Sequence, residues 1–224
     1  MNKNYYSDYW LKNRNKQISY PAEAVIRIFK GKFPKLKFQF KKKQKILDVG
    51  FGDGRHIYFF KNLGLEVYGT EISENIVRII KKKLKIRNLK VGTAQELPYK
   101  NNFFDILLGW NSIYYMGYQN YEPNFQNTPR ELSRVIKKNG YIIISLPTDK
   151  CFIFNDSKVI NNKYRIIKKD FFKLRNDEVM RCFSSEKEIK FEFKKHFKNF
   201  SFSKIKIDCF GINYDWIVMI AQKK

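Results

Sequence analysis

Three alternating glycines follow the first strongly apolar segment of the chain and form the clearest candidate for a binding loop. Residues 46–49 read Ile-Leu-Asp-Val, and Gly50, Gly52 and Gly54 come directly after them. Glycine allows positive φ angles and lets the backbone approach a ligand at the carboxyl edge of a sheet, beside a helix N-terminus. The position three after Gly52 is Arg55, so the dinucleotide fingerprint GxGxxG is not met and a nicotinamide enzyme is disfavoured.

Glu71 is the second candidate, because it ends the next apolar segment about 20 residues beyond the glycines, where a ribose-binding carboxylate is expected. A carboxylate there can accept hydrogen bonds from both ribose hydroxyls. The alternatives are a plain tight turn at the glycines and, for Glu71, a surface carboxylate stabilised by the dipole of the following helix. The two features together are much more specific for a ribose-binding site than either alone.

Apolar periodicity places these candidates in an alternation of strands and helices. Helices are predicted over 22–30, 55–64, 74–84, 128–138 and 185–196. Strands are predicted over 46–49, 65–71, 89–91, 104–108 and 141–146, followed by a closing antiparallel pair over 204–210 and 215–221. This order is typical of an α/β fold in which crossover helices connect the strands of a parallel sheet.

Two capping boxes mark helix starts. Thr128 is followed three residues later by Glu131, and Ser185 by Glu188, so each Ser or Thr is predicted to cap the helix that it opens. Ser73 is placed to cap the helix over 74–84.

The segment 147–183 lacks periodicity, but 163–168 and 178–183 are predicted to pair as an inserted hairpin. We expect one domain with four parts. These are an N-terminal lid and helix (1–44), a cofactor-binding core (45–146), an acceptor-side insertion (147–183), and a closing helix and strands (184–224).

The stretch 45–147 resembles a class I S-adenosylmethionine-dependent methyltransferase. Asp48 and the three glycines fit the first motif of that family, Glu71 fits its ribose acid, and 92–98 fits its adenine-side segment. The resemblance implies a Rossmann-like, mostly parallel seven-stranded sheet with helices on both faces, an antiparallel last strand and a small inserted hairpin after the fifth strand. It also implies S-adenosyl-L-methionine as cofactor and S-adenosyl-L-homocysteine as product.

The resemblance assigns a set of residues to the cofactor. They are Asp48, Gly50, Phe51, Gly52, Gly54, Glu71, Ile72, Thr93, Ala94, Gln95, Gly109 and Trp110. Family members often carry Asp where this chain has Thr93, so the backbone at Ala94 is expected to hold the adenine ring. No metal ligand set is expected.

A weaker resemblance at both ends of the chain, over 8–10, 20–21 and 211–216, is to a bacterial small-molecule subgroup. In such enzymes the N-terminal segment folds over the cofactor, which would make Tyr6, Trp10 and Tyr20 lid residues. Aromatic packing against the sheet is the alternative.

The segment after the fourth strand supplies the acceptor-side candidates, because it lies at the carboxyl edge of the sheet beside the expected sulfonium. The substrate-binding candidates are Tyr20, Trp110, Asn111, Tyr114 and Tyr115. His56 and Tyr114 are the candidates for catalysis. Methyl transfer requires a general base only where the nucleophile is poorly ionised, and a structural role is the alternative for His56.

The formal net charge of +24 raises the question of a nucleic-acid partner. Only 10 of the 45 basic residues are Arg, the residue that phosphate and base readers favour. Lys, Asn, Ile, Phe and Tyr are abundant together, which an A+T-rich genome also produces. We therefore predict a solvated basic surface, with a nucleic-acid partner as the disfavoured alternative. An RNA methyltransferase explains the charge better but lacks a recognisable RNA-binding motif or appended domain, and a non-catalytic cofactor-binding protein is a further alternative.

The remaining composition predicts a soluble, cytoplasmic enzyme without a membrane segment. Cys151, Cys182 and Cys209 are widely spaced and form no CxxC pair, so neither a disulfide framework nor a zinc site is indicated. Residues 1–20 lack the pattern of a secretory signal. The predicted acceptor is a small, polar, anionic molecule such as a sugar or sugar nucleotide, with O-methylation favoured.

Overall fold

The computed structural model describes residues 20–224 and confirms the predicted alternation of strands and helices. The helices are α1 (Glu23–Lys30), α2 (Arg55–Asn62), α3 (Glu74–Leu84), α4 (Asn127–Val135) and α5 (Glu186–Phe193), with a short 3-10 helix at Phe152–Phe154. The strands are β1 (Lys45–Val49), β2 (Glu66–Glu71), β3 (Leu89–Val91), β4 (Phe104–Gly109), β5 (Tyr115–Tyr118), β6 (Ile136–Pro147), β7 (Asp156–Val159), β8 (Tyr164–Lys169), β9 (Glu178–Arg181), β10 (Phe197–Cys209) and β11 (Ile212–Lys223). Within these described residues, no helix has the length and apolar character needed to cross a membrane.

Seven strands form the central sheet in the order β10-β11-β6-β4-β1-β2-β3. The five strands from β6 to β3 are mutually parallel, whereas β11 pairs antiparallel with both β6 and β10. The predicted Rossmann-like sheet is therefore confirmed. The chain order of the parallel strands reverses at β1, so the carboxyl ends of β1 and β4 border the crevice in which open α/β sheets bind ligands.

Helices cover both faces of this sheet. Apolar side chains of α1, α2 and α3 pack with Ile46 and Ile106 on one face. On the other face, α4 and α5 pack with Leu47 and Leu107. Because side chains alternate along a strand, the neighbours Ile46 and Leu47 enter opposite clusters. Burial on both faces explains why these strands read as nearly continuous apolar runs.

The insertion forms a larger sheet than the predicted hairpin. β8 and β9 pair antiparallel as predicted, with Tyr164 opposite Arg181. They also join β7 and β5, which gives a four-stranded antiparallel sheet in the order β5-β9-β8-β7. The sequence did not predict β5, because its four residues are half-exposed or exposed and include Gly117 at a φ of 109°. This second sheet brings the segment after β4 into contact with the insertion.

The capping box predicted at Thr128 is wrong, although the helix exists. Gln126 occupies the N-cap position of α4 without a side-chain cap. Thr128 is buried and its Oγ1 accepts a hydrogen bond from Gln95 Nε2 at 3.3 Å. The Glu131 carboxylate accepts the Leu97 N–H at 2.7 Å instead of reaching back to the helix start. Thr128 and Glu131 therefore make tertiary hydrogen bonds in place of the predicted capping contacts.

Several element ends differ from prediction by a few residues or more. α4 ends at Val135, since the chain turns directly into β6 and Asn139 takes a φ of 61°. The cap at Ser185 is confirmed, with the Glu188 N–H donating to its Oγ at 3.3 Å, as is the cap at Ser73, whose Oγ accepts the Ile76 N–H at 3.4 Å. The closing strands β10 and β11 are both longer than predicted.

Arg181 fixes the insertion to α5. Its guanidinium is fully buried, lies 4.2 Å from the centre of the Phe183 ring, and donates to Glu188 at 2.7 Å and Glu192 at 3.0 Å. A buried charge of this kind is tolerated because it is paired and hydrogen-bonded. The ion pairs therefore set the position of β9 against the core.

Replacing Arg181 with Ala should lower the free energy of unfolding by about 3 kcal/mol, the lower end of the range for breaking a buried ion pair. The two carboxylates would lose their shared counter-charge while remaining partly buried. Urea denaturation provides the measurement. The control is Lys187→Ala on the exposed side of the same helix, expected within about 0.5 kcal/mol of the wild type. Equal stability of the two variants would contradict the role assigned to Arg181.

Candidate functional site

The glycine loop after β1 is held by backbone hydrogen bonds from the next strand. Gly50, Gly52 and Gly54 all have positive φ angles, of 71°, 53° and 76°. The N–H groups of Gly50 and Phe51 donate to the Thr70 carbonyl at 2.8 and 3.2 Å. The loop therefore adopts the left-handed conformations that its glycines were predicted to provide.

Gly50 also allows the segment after β4 to approach. A Cβ atom at Gly50 would lie 2.5 Å from the Ser112 Cβ, closer than real side chains permit. The Ser112 hydroxyl in turn donates to the Val49 carbonyl. The loop and the segment after β4 are thus in direct contact at the crevice.

Glu71 ends β2 beneath this loop and is 4 % exposed. Its Oε2 accepts the Gly52 N–H at 3.0 Å, and its Oε1 accepts the Ile72 N–H at 2.7 Å. Burial raises the pKa of this carboxyl above its ordinary value, and the amide hydrogen bonds oppose that rise. Each carboxylate oxygen can accept further hydrogen bonds, so the group can still receive two ribose hydroxyls.

A cavity of about 260 Å³ lies over the glycine loop, and we call it the cofactor cavity. Six of the residues predicted to bind the cofactor line it, namely Gly50, Glu71, Ile72, Thr93, Ala94 and Gln95. Two predicted acceptor-side residues, Asn111 and Tyr115, line it as well. Sequence reasoning missed Ser112, Met116, Gly117 and Glu178 as site residues, and Val49 and Gly92 complete the lining. The one available signal was Glu178, a carboxylate at the start of an apolar segment.

The remaining predicted cofactor residues support the loop from behind or lie elsewhere. Phe51 is buried in the apolar cluster under α2 and α3. Gly54 lies against Ile80 and Leu84 of α3, and Gly109 lies against Ile113. These residues shape the cavity without lining it, and their contact with a cofactor stays a prediction.

Gln95 is fixed by its side chain. Its Nε2 donates to the Tyr115 carbonyl and to Thr128 Oγ1, both at 3.3 Å. A short bridge between Thr93 and Glu96 closes the backbone around it. The adenine-side segment is therefore rigid and tied to the segment after β4.

Asp48 and His56 form a buried pair under the loop. His56 Nε2 accepts the Ala22 N–H at 3.2 Å, so the ring proton lies on Nδ1, which is 3.8 Å from Asp48 Oδ2. Burial lowers the pKa of His56 to about 3 and raises the pKa of Asp48 to about 8. Both groups are therefore neutral near pH 7, and their contact is not an ion pair. This geometry favours a structural role for His56, which joins α2 to the start of α1, and its role as a general base stays a prediction.

Tyr114 and Tyr115 stack with ring centres 5.0 Å apart but occupy different surroundings. Tyr114 is 1 % exposed and packs against Trp216 at 5.7 Å. Burial raises its pKa well above the ordinary value, so its hydroxyl stays protonated. Tyr115 lines the cofactor cavity, and its hydroxyl accepts a hydrogen bond from Arg175 Nε at 3.2 Å. The structure thus places Tyr115 in a cofactor cavity wall and Tyr114 behind it.

A second cavity of about 730 Å³ lies between α1 and the face of β10 and β11, and we call it the acceptor cavity. Part of its wall is aromatic and is formed by Trp110, Trp216 and Tyr214. Asn111 lines both the acceptor cavity and the cofactor cavity. Tyr20 is exposed and is not part of either lining. The predicted lid residues Tyr6 and Trp10 lie outside the described residues.

The methyltransferase domain family matches residues 47–144, which include the glycine loop, Glu71 and the adenine-side segment. All of the residues that line the carboxyl-edge cavity described above, except Glu178, lie within that range. The predicted resemblance to a class I methyltransferase is thereby confirmed over residues 47–144, a little under half of the chain. The cofactor of this class is S-adenosylmethionine.

Individual relatives agree with this assignment. The demethylmenaquinone methyltransferase of Bacillus mycoides is 32% identical over 106 residues, 44% of this chain and 42% of that protein. The enzyme of the same name from Geobacillus kaustophilus is 31% identical over 115 residues, 49% of this chain and 46% of that protein. The chain thus spans less than half the length of these curated relatives.

The fold of the methyltransferase domain extends across the described structure. A solved S-adenosylmethionine-dependent methyltransferase from Methanosarcina mazei superposes with a TM-score of 0.67 at 16% identity, covering 92% of this chain and 99% of that one. Identity at this level shows a shared fold.

Replacing Glu71 with Ala should weaken S-adenosylmethionine binding at least about tenfold, since two charge-assisted hydrogen bonds contribute more than about 1.5 kcal/mol. Titration calorimetry on folded protein gives the measurement. Glu66→Ala removes an exposed carboxylate from the start of the same strand and should leave affinity within about twofold. Unchanged affinity in the Glu71 variant would show that the ribose binds elsewhere.

The raised pKa of Asp48 predicts a pH-dependent stability. The folded protein holds a proton on Asp48 up to about pH 8, whereas the unfolded chain releases it near pH 4. Because the folded state holds the Asp48 proton in this window, the Asp48 contribution to the free energy of unfolding falls as pH rises from 4 towards 8. The lowered pKa of His56 acts in the opposite direction up to its ordinary value of 6.5, so the net fall lies between pH 6.5 and pH 8. Asp48→Asn should flatten this dependence in urea denaturation at pH 6.5 and pH 8. Parallel curves for the variant and the wild type would refute the assignment.

Proposed function

We propose that this chain transfers the methyl group of S-adenosylmethionine to a small anionic acceptor bound in the acceptor cavity. The observation that carries the proposal is the meeting of the two cavities at Asn111. One cavity has the glycine loop and ribose carboxylate of a nucleoside site, and the other has room for a small molecule. The two cavities therefore adjoin at this residue, and the proposed methyl transfer must take place beside it.

The residues of the cofactor cavity fit this cofactor. Gly50 leaves space that a Cβ would fill, and Glu71 offers a carboxylate to the ribose. Asp48 is buried below the loop, with its Oδ2 3.8 Å from His56 Nδ1, and it supports the loop without being part of the cavity lining. When bound, S-adenosylmethionine supplies a methyl group activated by a sulfonium.

Asn111 is held rigidly where the cavities meet. Its N–H donates to Ser145 Oγ at 2.8 Å, and its Oδ1 accepts the Ser145 hydroxyl at 2.7 Å. Its backbone takes a φ of 55°, which Asn tolerates better than most residues. The amide hydrogens on Nδ2 can donate to an oxygen of the acceptor and orient it. Orientation of this kind contributes to rate by fixing a near-attack geometry.

The lining of the acceptor cavity indicates the acceptor chemistry. Five cationic side chains and one carboxylate line it, namely Arg27, Lys35, Arg55, Lys204, Lys206 and Glu23. Apolar side chains such as Ile205, Val218 and Ile220 form its floor. The acceptor should therefore combine an apolar or planar body with an anionic group. A sugar nucleotide has both features and stays our preferred example, with a hydroxyl oxygen as the methylated atom.

The named relatives support the type of reaction more than the acceptor. The family match ends at residue 144, whereas β10, β11 and the insertion follow that residue. The walls of the acceptor cavity come largely from α1, β10 and β11. The acceptor is for this reason inferred from the cavity and not from demethylmenaquinone.

An RNA acceptor is the competing function, because the net charge is +24. Binding through many phosphates would make affinity fall steeply as the salt concentration rises. In a plot of log affinity against log salt concentration, each neutralised phosphate makes the slope more negative by roughly 0.7 to 0.9. A small acceptor with one or two anionic groups would show a shallow dependence. This difference separates the two functions.

The test supplies methyl-labelled S-adenosylmethionine together with either a small-metabolite extract or bulk transfer and ribosomal RNA. We expect label in the small-molecule fraction. Incorporation into RNA, with submicromolar and salt-steep binding, would replace the proposal with the RNA alternative. Cofactor binding without label in any fraction would indicate a non-catalytic cofactor-binding protein.

Charge reversal at the acceptor cavity gives a matched comparison within the same assay. Lys35→Glu should reduce labelling of the small-molecule fraction at least about fivefold while cofactor affinity stays unchanged, because a cation facing an anionic acceptor becomes repulsive. Lys32→Glu makes the same charge change at a nearby exposed residue outside the lining. Equal loss in both variants would place the effect in the general surface charge.

A further inference from the structure

The chain that runs from α1 into β1 is strongly basic. Residues 24–47 contain nine Lys or Arg residues and no Asp or Glu. Phe33 lies within this segment and is 44 % exposed. A Cβ at Gly31 would lie 2.5 Å from the Phe33 ring, so the absence of a side chain at Gly31 makes room for the ring. Four exposed lysines flank Phe33 in the sequence, namely Lys30, Lys32, Lys35 and Lys37.

The hairpin of β10 and β11 extends beyond the rest of the central sheet. β11 pairs with β6 over residues 216–222, whereas its pairing with β10 continues to the pair of Ile212 with Cys209. Residues directly opposite one another in two strands point to the same face, and every second pair shares that face. The pairs of Ile207 with Tyr214 and of Cys209 with Ile212 therefore give the projecting part of the hairpin one largely apolar face.

The end of this hairpin exposes apolar side chains to solvent. Phe210 occupies the turn with a φ of 50° and is fully exposed, and Ile207 is 50 % exposed. A single exposed apolar residue is common on protein surfaces. Here, however, the exposed ring lies at the tip of a projecting hairpin whose apolar face leads to it. Several apolar groups can therefore be buried together against one partner.

The basic segment and the hairpin border the same cavity. Phe33 and Lys35 from the segment line the acceptor cavity, as does Ile207 from the hairpin. α1 packs on one face of the central sheet, and α5 packs on the other. We call residues 30–37 and 207–211 together the docking surface. It combines cationic and apolar side chains on either side of one cavity.

We propose that the docking surface binds an anionic lipid bilayer. Its lysines would lie among the negatively charged headgroups, while Phe33 and Phe210 enter the boundary between headgroups and acyl chains. The net charge of +24 attracts the whole chain to such a surface. Stable attachment to a membrane generally takes two weak anchors, and the lysines and the apolar tip supply both. This binding goes beyond the proposed function and does not depend on the identity of the acceptor.

RNA is the competing partner, because its phosphates attract lysines and its bases stack on aromatic rings. The apolar face of the hairpin, with aliphatic Ile207 and Ile212, contributes little to the binding of RNA. The same face is buried favourably in lipid. Lipid is therefore the better fit to the docking surface.

The test measures sedimentation of the full chain with phosphatidylcholine vesicles that contain or lack phosphatidylglycerol. We expect binding to the anionic vesicles to be at least about tenfold tighter than to the neutral ones. Phe210→Ser should weaken binding to the anionic vesicles at least about fivefold, because an apolar ring is lost from the interface. Phe210→Trp should retain binding, and its fluorescence should shift to the blue when vesicles are added.

Phe191→Ser is the matched control for the ring, because Phe191 is 63 % exposed on α5, which covers the opposite face of the sheet. It should leave vesicle binding within about twofold of the wild type. Circular dichroism checks that each variant is folded.

Two sets of three Lys→Glu substitutions, equal in charge, test the contribution of the lysines. The first set is in the docking surface, at Lys30, Lys32 and Lys37, and the second is on or next to α5, at Lys190, Lys194 and Lys195. The first set should weaken binding to anionic vesicles at least about fivefold more than the second.

Absence of wild-type binding to the anionic vesicles, or equal losses in the Phe210→Ser and Phe191→Ser variants, would overturn the proposal. RNA binding that depends on Phe210, without vesicle binding, would assign the surface to RNA instead. A dimer that Phe210→Ser dissociates, again without vesicle binding, would assign it to a second copy of the chain. Affinity for S-adenosylmethionine, measured by titration calorimetry, should be unchanged in every variant, so a failure of the proposed function is seen separately.

Discussion

The hydrogen bond from the Gly52 N–H to Glu71 joins the two chain segments on which the cofactor cavity depends. One segment is the loop after β1, and the other is the carboxyl end of β2. Both ends of the bond are buried, so its loss would leave the Gly52 amide without a partner and would remove one of the hydrogen bonds to the Glu71 carboxylate in a region of low dielectric. The positive φ at Gly52 points the amide towards the carboxylate, and the neighbouring amides are fixed to Thr70. The shape of the cavity follows from these few backbone bonds.

The parts of the site that could be predicted from sequence are those determined by local rules. An apolar strand followed by glycines, and a carboxylate ending the next strand, require only strand periodicity and backbone freedom. Gly50, Glu71 and Ala94 line one cavity as the pattern indicated. Glu178 could not be placed in this way, because its position depends on β9 pairing with β5, about 60 residues earlier in the chain. β5 itself lacks the alternation that identifies strands.

Tertiary contacts also explain why the chemical roles of polar residues were harder to predict from sequence than their positions in the fold. His56 lies in the first turn after the glycine loop, as expected, but its Nε2 is taken by the amide of Ala22, 34 residues away. Thr128 has the sequence of a cap, yet it is buried against Gln95. For each of these two residues, a partner distant in the sequence determines which hydrogen bond the polar side-chain atom makes. The local sequence pattern shows which polar atoms are present, but it does not show which hydrogen-bond partners they have.

The division of the chain between two cavities has a physical consequence for specificity. The cofactor cavity lies mainly within residues 47–144, whereas the acceptor cavity is walled mostly by α1, β10 and β11. Because β11 is the antiparallel neighbour of β6, its outward residues can change without altering the parallel strands that carry the glycine loop. Asn111 belongs to both linings and is fixed by Ser145 of β6. Under the proposed function, a change of acceptor can therefore arise through substitutions on β10 and β11, while the contact between Asn111 and Ser145 keeps the position of Asn111 between the two cavities.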